Sequence, residues 1–473
     1  MDKEKGTKGK REQRKAIAIL CVFFIAIVLV VGGIGCVIGS ILAKHTQKEQ
    51  VQQTVEPEKP AETVVVEVPK EVQNEQEETS AEESQQEEPQ QEEAGDVSIS
   101  QNEAEVSANE ALSSEARPKD ARALVWADEQ LSQMSLEQKV AQLFIITPEA
   151  LTGYKSVVGE AKEKTRNALK QYPVGGVIYY DKNIASVNQV TALLTNTKKY
   201  VADQSEVPIF LAIDEEGGEL ARVANYRPMK ATKVDNMSDI GAAGDKAVAL
   251  EAGETIGTYL SELGFNLDFA PVADVLVDTN NQFMAKRSFG EAPNLVWEMD
   301  EQFLKGLNNH QVAGCLKHFP GYALTSKDPH KGFVEVDLSL EELRAYAFVP
   351  FEKGCQNGAE MIMVGQTILT GVTDDGLPSC LSEDIVTGIL RDTFAYDGVL
   401  VTDVMNKGAV AGYAPDEASV MAISAGMDML LVPKDFKKAY QGILTAVKNG
   451  ELTEERIDES VKRILTMKYR YRE

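Results

Sequence analysis

The sequence predicts an α/β chain: a single (β/α)8 TIM-type barrel preceded by a transmembrane helix and a disordered acidic linker. Three observations predict it. Short apolar, β-rich runs alternate with helix-like stretches from about Trp126 onward. A long uncharged run stands near the N-terminus, and a stretch rich in acidic residues lies between the two.

Ala16 to Ala43 is uncharged and mostly apolar. It exceeds the roughly 20 residues that a membrane-crossing helix needs and is longer than the apolar core of a cleavable signal peptide. Lys3, Lys5, Lys8, Lys10, Arg11, Arg14 and Lys15 precede it, and positive residues stay on the cytoplasmic side. The expectation is a cell-membrane protein with one pass at 16–43, a cytoplasmic basic N-terminus at 1–15 and an extracytoplasmic remainder. Two other readings stay open: a lipoprotein cleaved before Cys36, since Gly35-Cys36 resembles a lipobox, and a fully cleaved secreted form.

From His45 to Pro118 there is no Phe, Trp or Tyr. Lys44 to Pro118 holds 20 acidic and 5 basic residues, so -15 of the net charge of -26 lies there. The acidic balance therefore describes mainly a tether and says little about the substrate. Such a stretch buries too little apolar surface to offset chain entropy, and 44–118 reads as a solvated spacer.

The barrel domain is expected at 119–473, opening on the helical periodicity of Leu131, Met134, Leu136, Val140 and Leu143. The strand candidates are Gln142–Ile146, Gly176–Tyr180, Pro208–Ile213, Asn266–Ala270, Val312–Leu316, Met361–Val364, Gly398–Thr402 and Asp428–Val432. Near-continuous apolar runs suit a parallel sheet buried on both faces. Helices fit between them at Val187–Val201, Lys246–Leu263, Val296–Asn308 and Asp384–Phe394. Eight alternating units favour closure over a doubly wound sheet.

Polar residues follow the strands: Asp214-Glu215-Glu216, Asp274, Lys317-His318, Gln366 and Asp403. In a barrel enzyme the strand C-terminal ends form the active face. A set gathered there points to a polar pocket, whereas any one alone could simply cap a helix. No basic stripe interleaved with aromatics argues for nucleic acid. Cys315, Cys355 and Cys380, together with His45, His310, His318 and His330, show no metal-type spacing. Neither a metal nor a cofactor is expected, and the cysteines read as buried thiols.

Several blocks carry a family resemblance. They are Met134–Lys139, Asp214–Arg222, Phe269–Val275, Lys286–Gly290, Lys317-His318-Phe319-Pro320-Gly321 with Asp328-Pro329-His330, Val401–Met405 and Ala425–Met429. In this order and spacing the chain resembles glycoside hydrolase family 3, in its β-N-acetylhexosaminidase branch. The resemblance implies a retaining hydrolase that removes terminal β-linked N-acetylglucosamine from cell-wall or peptidoglycan-derived glycans. It implies Asp403 as nucleophile, His330 as acid/base with Asp328 as its partner, and Asp214, Arg222, Arg287, Lys317 and His318 as sugar-binding residues. Many family members take the acid/base from a second domain. Here only the predicted helix Glu454–Tyr469 follows the Asp428 strand, so the group is expected from the barrel or from another chain.

The chemistry fits these residue types. A retaining glycosidase needs one group to form a covalent glycosyl intermediate and another to protonate the leaving oxygen. Histidine titrates near neutrality, so it can give and then accept a proton. Asp328 and His330 stand at i and i+2, on one side of an extended segment, and Pro329 favours an extended Asp328.

Five positions depart from the branch. Tyr322 stands where histidine is usual, Ala323-Leu324 replaces the usual Gly-Asp or Gly-Asn, Pro329 replaces a common serine, and Gln366 occupies a strand end where histidine is common. Three alternatives remain at this level: a β-glucosidase, a β-glycoside phosphorylase, and a catalytically impaired wall-binding protein.

Overall fold

The computed structural model of the chain describes residues 118–472. Its first helix, Pro118–Gln133, packs on its last, Glu454–Arg470. The helix Leu136–Gln142 follows, opened by a capping box in which Ser135 and Gln138 satisfy each other's free backbone N–H groups.

The strands are β1 Phe144–Ile146, β2 Gly176–Ile178, β3 Phe210–Ile213, β4 Glu215–Gly217, β5 Leu220–Ala221, β6 Leu267–Asp268, β7 Ala313–Gly314, β8 Leu316–Phe319, β9 Glu335–Val336, β10 Met361–Val364, β11 Ile368–Leu369, β12 Val399–Thr402 and β13 Leu430–Leu431. Each of the eight predicted apolar runs carries one. Every residue of β1, β2, β3, β10 and β12 is buried, as expected for parallel strands covered on both faces. Helices Val187–Ala202, Lys246–Leu263 and Pro293–Asn309 form part of the cover.

The expected single closed barrel of eight strands is corrected. β13-β1-β2-β3-β6-β7 form a six-stranded parallel sheet, a half-barrel, and β12-β10-β8 form a separate three-stranded one. The predicted fifth strand breaks at Cys315: β7 belongs to the first sheet and β8 to the second. Among the described residues, isolated bridges at Val272↔Lys317 and Val401↔Met429 link the two sheets, and β9 with β11 and β4 with β5 form separate pairs. The cause at the first break is local. Pro271 follows β6 and has no N–H to continue the ladder, so single bonds take over, with the Cys315 N–H donating to Ala270 O at 2.7 Å and the Lys317 N–H to Pro271 O at 3.2 Å.

Among the described residues, no helix is long and apolar enough to cross a membrane. The expected single-pass cell-membrane placement is corrected accordingly. The predicted span at 16–43, and the linker but for Pro118, lie outside the described residues.

Candidate active site

The site is built at the C-terminal ends of the strands. β3 delivers Asp214. The β4–β5 hairpin then folds Arg222 back onto it, with Nη2 2.9 Å from Asp214 Oδ2. The turn needs glycine: Gly217 and Gly218 have φ of 89° and 51°, and a Cβ on Gly218 would sit 2.5 Å from Asn236 Oδ1. Side-chain alternation sorts the three acids. Asp214 and Glu216 meet the cations, while Glu215 turns away to accept from Val223 N, Ala224 N and the Tyr259 hydroxyl.

Lys317, on β8, bridges the two acids, with Nζ 2.6 Å from Glu216 Oε1 and 3.2 Å from Asp214 Oδ1. Arg287 grips Glu216 with a two-pronged bond, 2.7 Å from Nε and 2.8 Å from Nη2. All of these groups are largely withdrawn from water. Burial alone would raise the Glu216 carboxyl, but Arg287 and Lys317 outweigh it and hold the group well below the usual range. Burial likewise opposes charge on Lys317, yet Glu216 and Asp214 keep its ammonium charged, above its ordinary value.

His318 extends the network. Its Nδ1 lies 2.8 Å from Asp274 Oδ2 and its Nε2 lies 3.5 Å from Arg287 Nη2. Burial, reinforced by the neighbouring cations, lowers its pKa against the pull of Asp274. The ring is thus neutral near neutrality. Arg287 can only donate, so Nε2 is the acceptor and the Nδ1–H donates to Asp274. The five predicted sugar-binding residues, Asp214, Arg222, Arg287, Lys317 and His318, therefore form one connected group.

Asp403 follows β12 and is 5% exposed. Its Oδ1 accepts from the Val404 N–H at 2.6 Å, and its Oδ2 from the Tyr322 hydroxyl at 2.5 Å. His330 Nε2 stands 2.9 Å from the same Oδ2. Burial would raise the Asp403 carboxyl. The His330 bond and charge, with His318 and Tyr322, outweigh it and hold the group far below its usual range. Burial would lower His330, and Asp403 and Asp328 outweigh that to raise it.

The Asp328–His330 pair differs from the expected extended dyad. Asp328 is extended, but Pro329–Lys331 is a 3-10 turn that Asp328 caps through the His330 N–H at 3.0 Å. Its carboxylate is 3.7 Å from His330 Nδ1, an ion-pair distance and too long for a hydrogen bond. Asp328 therefore acts on the ring by charge and on the loop by capping.

Four further residues join the network. Glu216 is the centre of the cation cluster, Asp274 fixes His318, Tyr322 bonds Asp403, and the Gln366 N–H donates to the Tyr322 hydroxyl at 3.1 Å. Their sequence signal was position: Glu216 is two residues beyond Asp214, and Asp274 and Gln366 follow strands. Tyr322 was visible only as a departure, and nothing in the sequence says that it touches Gln366.

The fold and this network define an α/β domain of the glycoside-hydrolase kind. The chain belongs to glycosyl hydrolase family 3: residues 135–467 match that family's N-terminal domain. It is 30% identical over 326 residues to a beta-hexosaminidase A of Pseudoalteromonas piscicida, covering 63% of this chain and 54% of that one. It is 27% identical over 355 residues to a beta-N-acetylglucosaminidase/beta-glucosidase of Cellulomonas fimi, covering 73% and 59%. A glycoside hydrolase family 3 beta-N-acetylglucosaminidase from Paenibacillus sp. str. FPU-7 superposes with a TM-score of 0.67 at 33% identity, over 72% of this chain and 63% of that one. The chain thus spans just over half the length of these two curated relatives.

Proposed function

We propose that this chain is a retaining β-N-acetylhexosaminidase that releases terminal β-linked N-acetylglucosamine from glycans such as those derived from peptidoglycan. The observation that carries the reading is the contact of His330 Nε2 with Asp403 Oδ2 at 2.9 Å, with Asp328 at 3.7 Å behind the ring. An acid and a nucleophile thus face each other beside a cluster of donors suited to sugar hydroxyls. The relatives named as hexosaminidases support the choice of N-acetylated sugar.

In the first step Asp403 Oδ2 bonds to the anomeric carbon as the glycosidic bond breaks. The electron pair leaves on the aglycone oxygen, which takes the proton of His330. In the second step water attacks the same carbon, its proton passes to His330, and the ester's electron pair returns to Asp403. Lys317, Arg222 and Arg287 donate to sugar hydroxyls, Asp214 accepts from them, and His318 completes the pocket. The contact between His330 and Asp403 leaves no room for an anomeric carbon, since catalytic groups of retaining enzymes stand about 5 Å apart. The 328–332 loop therefore steps back as the sugar enters.

The test is p-nitrophenol release from the N-acetyl-β-glucosaminide by the full chain, followed by product analysis on muropeptides. Activity that disappears in Asp403→Ala and His330→Ala supports the reading. Equal activity in Asp403→Ala contradicts it.

A further inference from the structure

Two of the positions that depart from the family pattern, Tyr322 and Gln366, meet each other, and Tyr322 meets the proposed nucleophile. The Tyr322 hydroxyl donates to Asp403 Oδ2 and accepts the Gln366 N–H. The Gln366 side chain then ties down the loop after the nucleophile: its Nε2 donates to Val404 O at 2.9 Å and its Oε1 accepts the Val410 N–H at 3.0 Å. The phenol ring is fully buried, stacked on His318 at 4.6 Å between centroids and set edge-on to His330 at 5.7 Å. Room for it comes from Gly365, where a Cβ would lie 2.6 Å from the ring and 2.9 Å from its hydroxyl. The Tyr322 N–H and the Ala323 N–H both donate to Asp274 Oδ1, so the carboxylate that orients His318 also anchors the tyrosine backbone.

We propose that Tyr322 is a positioning residue for Asp403, a fixed hydroxyl donor that makes the carboxylate a better leaving group when the glycosyl-enzyme is hydrolysed. The proposal rests on the reading of Asp403 as nucleophile. Its physical basis is the direction of charge flow. In the first step the carboxylate gives up negative charge to the new bond, so the phenol's hydrogen bond weakens as the reaction proceeds. In the second step the C1–Oδ2 bond breaks, the electron pair returns to Asp403, and the same hydrogen bond strengthens. The donor thus favours the second step over the first. Burial pushes the Tyr322 hydroxyl well above its ordinary value, so it stays protonated and remains a donor.

The test is Tyr322→Phe in the full chain, with p-nitrophenyl N-acetyl-β-glucosaminide as substrate. Deglycosylation is expected to slow roughly tenfold, a fraction of what loss of a hydrogen bond to a charged group can cost. kcat and KM should then fall together while kcat/KM stays within a few-fold, and a burst of p-nitrophenol should appear. The acid limb of kcat/KM should also move to higher pH, because Asp403 loses a donor. Gly365→Ala provides an independent route, since it displaces the hydroxyl without deleting it, and a milder version of the same split is expected. A fall in kcat with unchanged KM, no burst and an unmoved acid limb, in either folded variant, overturns the proposal. Asp403→Ala run alongside separates the two ideas: if it retains full activity, the nucleophile reading itself fails.

Discussion

Two clusters of buried charge lie at opposite ends of the parallel strands, and their hydrogen bonding differs. At the strand N-terminal ends, Asp428 is surrounded by Arg391, Arg456 and Arg463 from two helices. Every acceptor direction is taken: Oδ2 receives Arg391 Nη2 at 2.5 Å and the Leu400 N–H at 2.9 Å, and Oδ1 receives Ser460 Oγ at 2.7 Å and Arg463 Nη1 at 3.3 Å. At the C-terminal ends, Arg222, Arg287 and Lys317 share Asp214 and Glu216, and Arg222 Nε is left without a partner. Both clusters hold three cations. The first is closed upon itself and ties helices to strands. The second keeps an unspent donor, Arg222 Nε. Under the proposed function this difference in saturation separates a structural ion cluster from one that receives a sugar, in keeping with the division of labour between the two ends of such strands.

Asp428→Ala should cost the most stability, about 3–5 kcal/mol, because three guanidinium groups lose a buried partner. Denaturant unfolding reads this, and activity per folded molecule should be unchanged. Burial would raise the Asp428 carboxyl, but its three arginines hold it below the ordinary value. Its contribution is therefore present at neutral pH and is lost only as the pH falls through that lowered value. Equal stability of the variant would mean that the saturated cluster is not structural.

Arg222→Leu should do the reverse. Stability should change by less than about 1 kcal/mol, because the side chain is partly exposed and Asp214 keeps Lys317. KM should rise roughly 10- to 100-fold through loss of a charged donor to the sugar. A stability loss equal to that of Asp428→Ala would erase the distinction.

The pH profile gives a finer test. His330 is raised by its two carboxylates, so the basic limb of kcat/KM should lie above the ordinary histidine value of about 6.5. Asp328→Asn should move that limb down by roughly half a unit to one unit. A limb that does not move would mean that Asp328 only caps the loop. The smallest effect is expected for Lys331→Ala, whose ammonium is exposed beside Asp328. Activity should stay within about twofold, as for other surface pairs.

Much of this was legible in the sequence. The eight apolar runs each hold a strand because burial on both faces demands continuous hydrophobicity. The strand-end positions of Asp214 and Asp403 marked the candidate site face, whereas Lys317 and His318, expected beyond a strand, lie within β8. Closure was not legible. Whether neighbouring strands keep a continuous ladder depends on single N–H groups, such as the one Pro271 lacks, and hydrophobic pattern does not register them. The dyad was legible as a pair of residue types but not as geometry: Pro329 extends Asp328 yet itself begins a 3-10 turn. Glu216 was legible as the acid two residues beyond Asp214, on the same side of an extended segment. The partners of Glu215 were not legible, because its backbone donors at Val223 and Ala224 arrive only with the hairpin's return.

The most direct test of the account is to trap the intermediate. Incubation of the full chain with a mechanism-based fluorinated N-acetylglucosaminyl donor, then peptide mass spectrometry, should place one sugar on Asp403 in the wild type and none in Asp403→Ala. Turnover of the parent substrate with the sugar attached to another residue would contradict the assignment on which the rest depends.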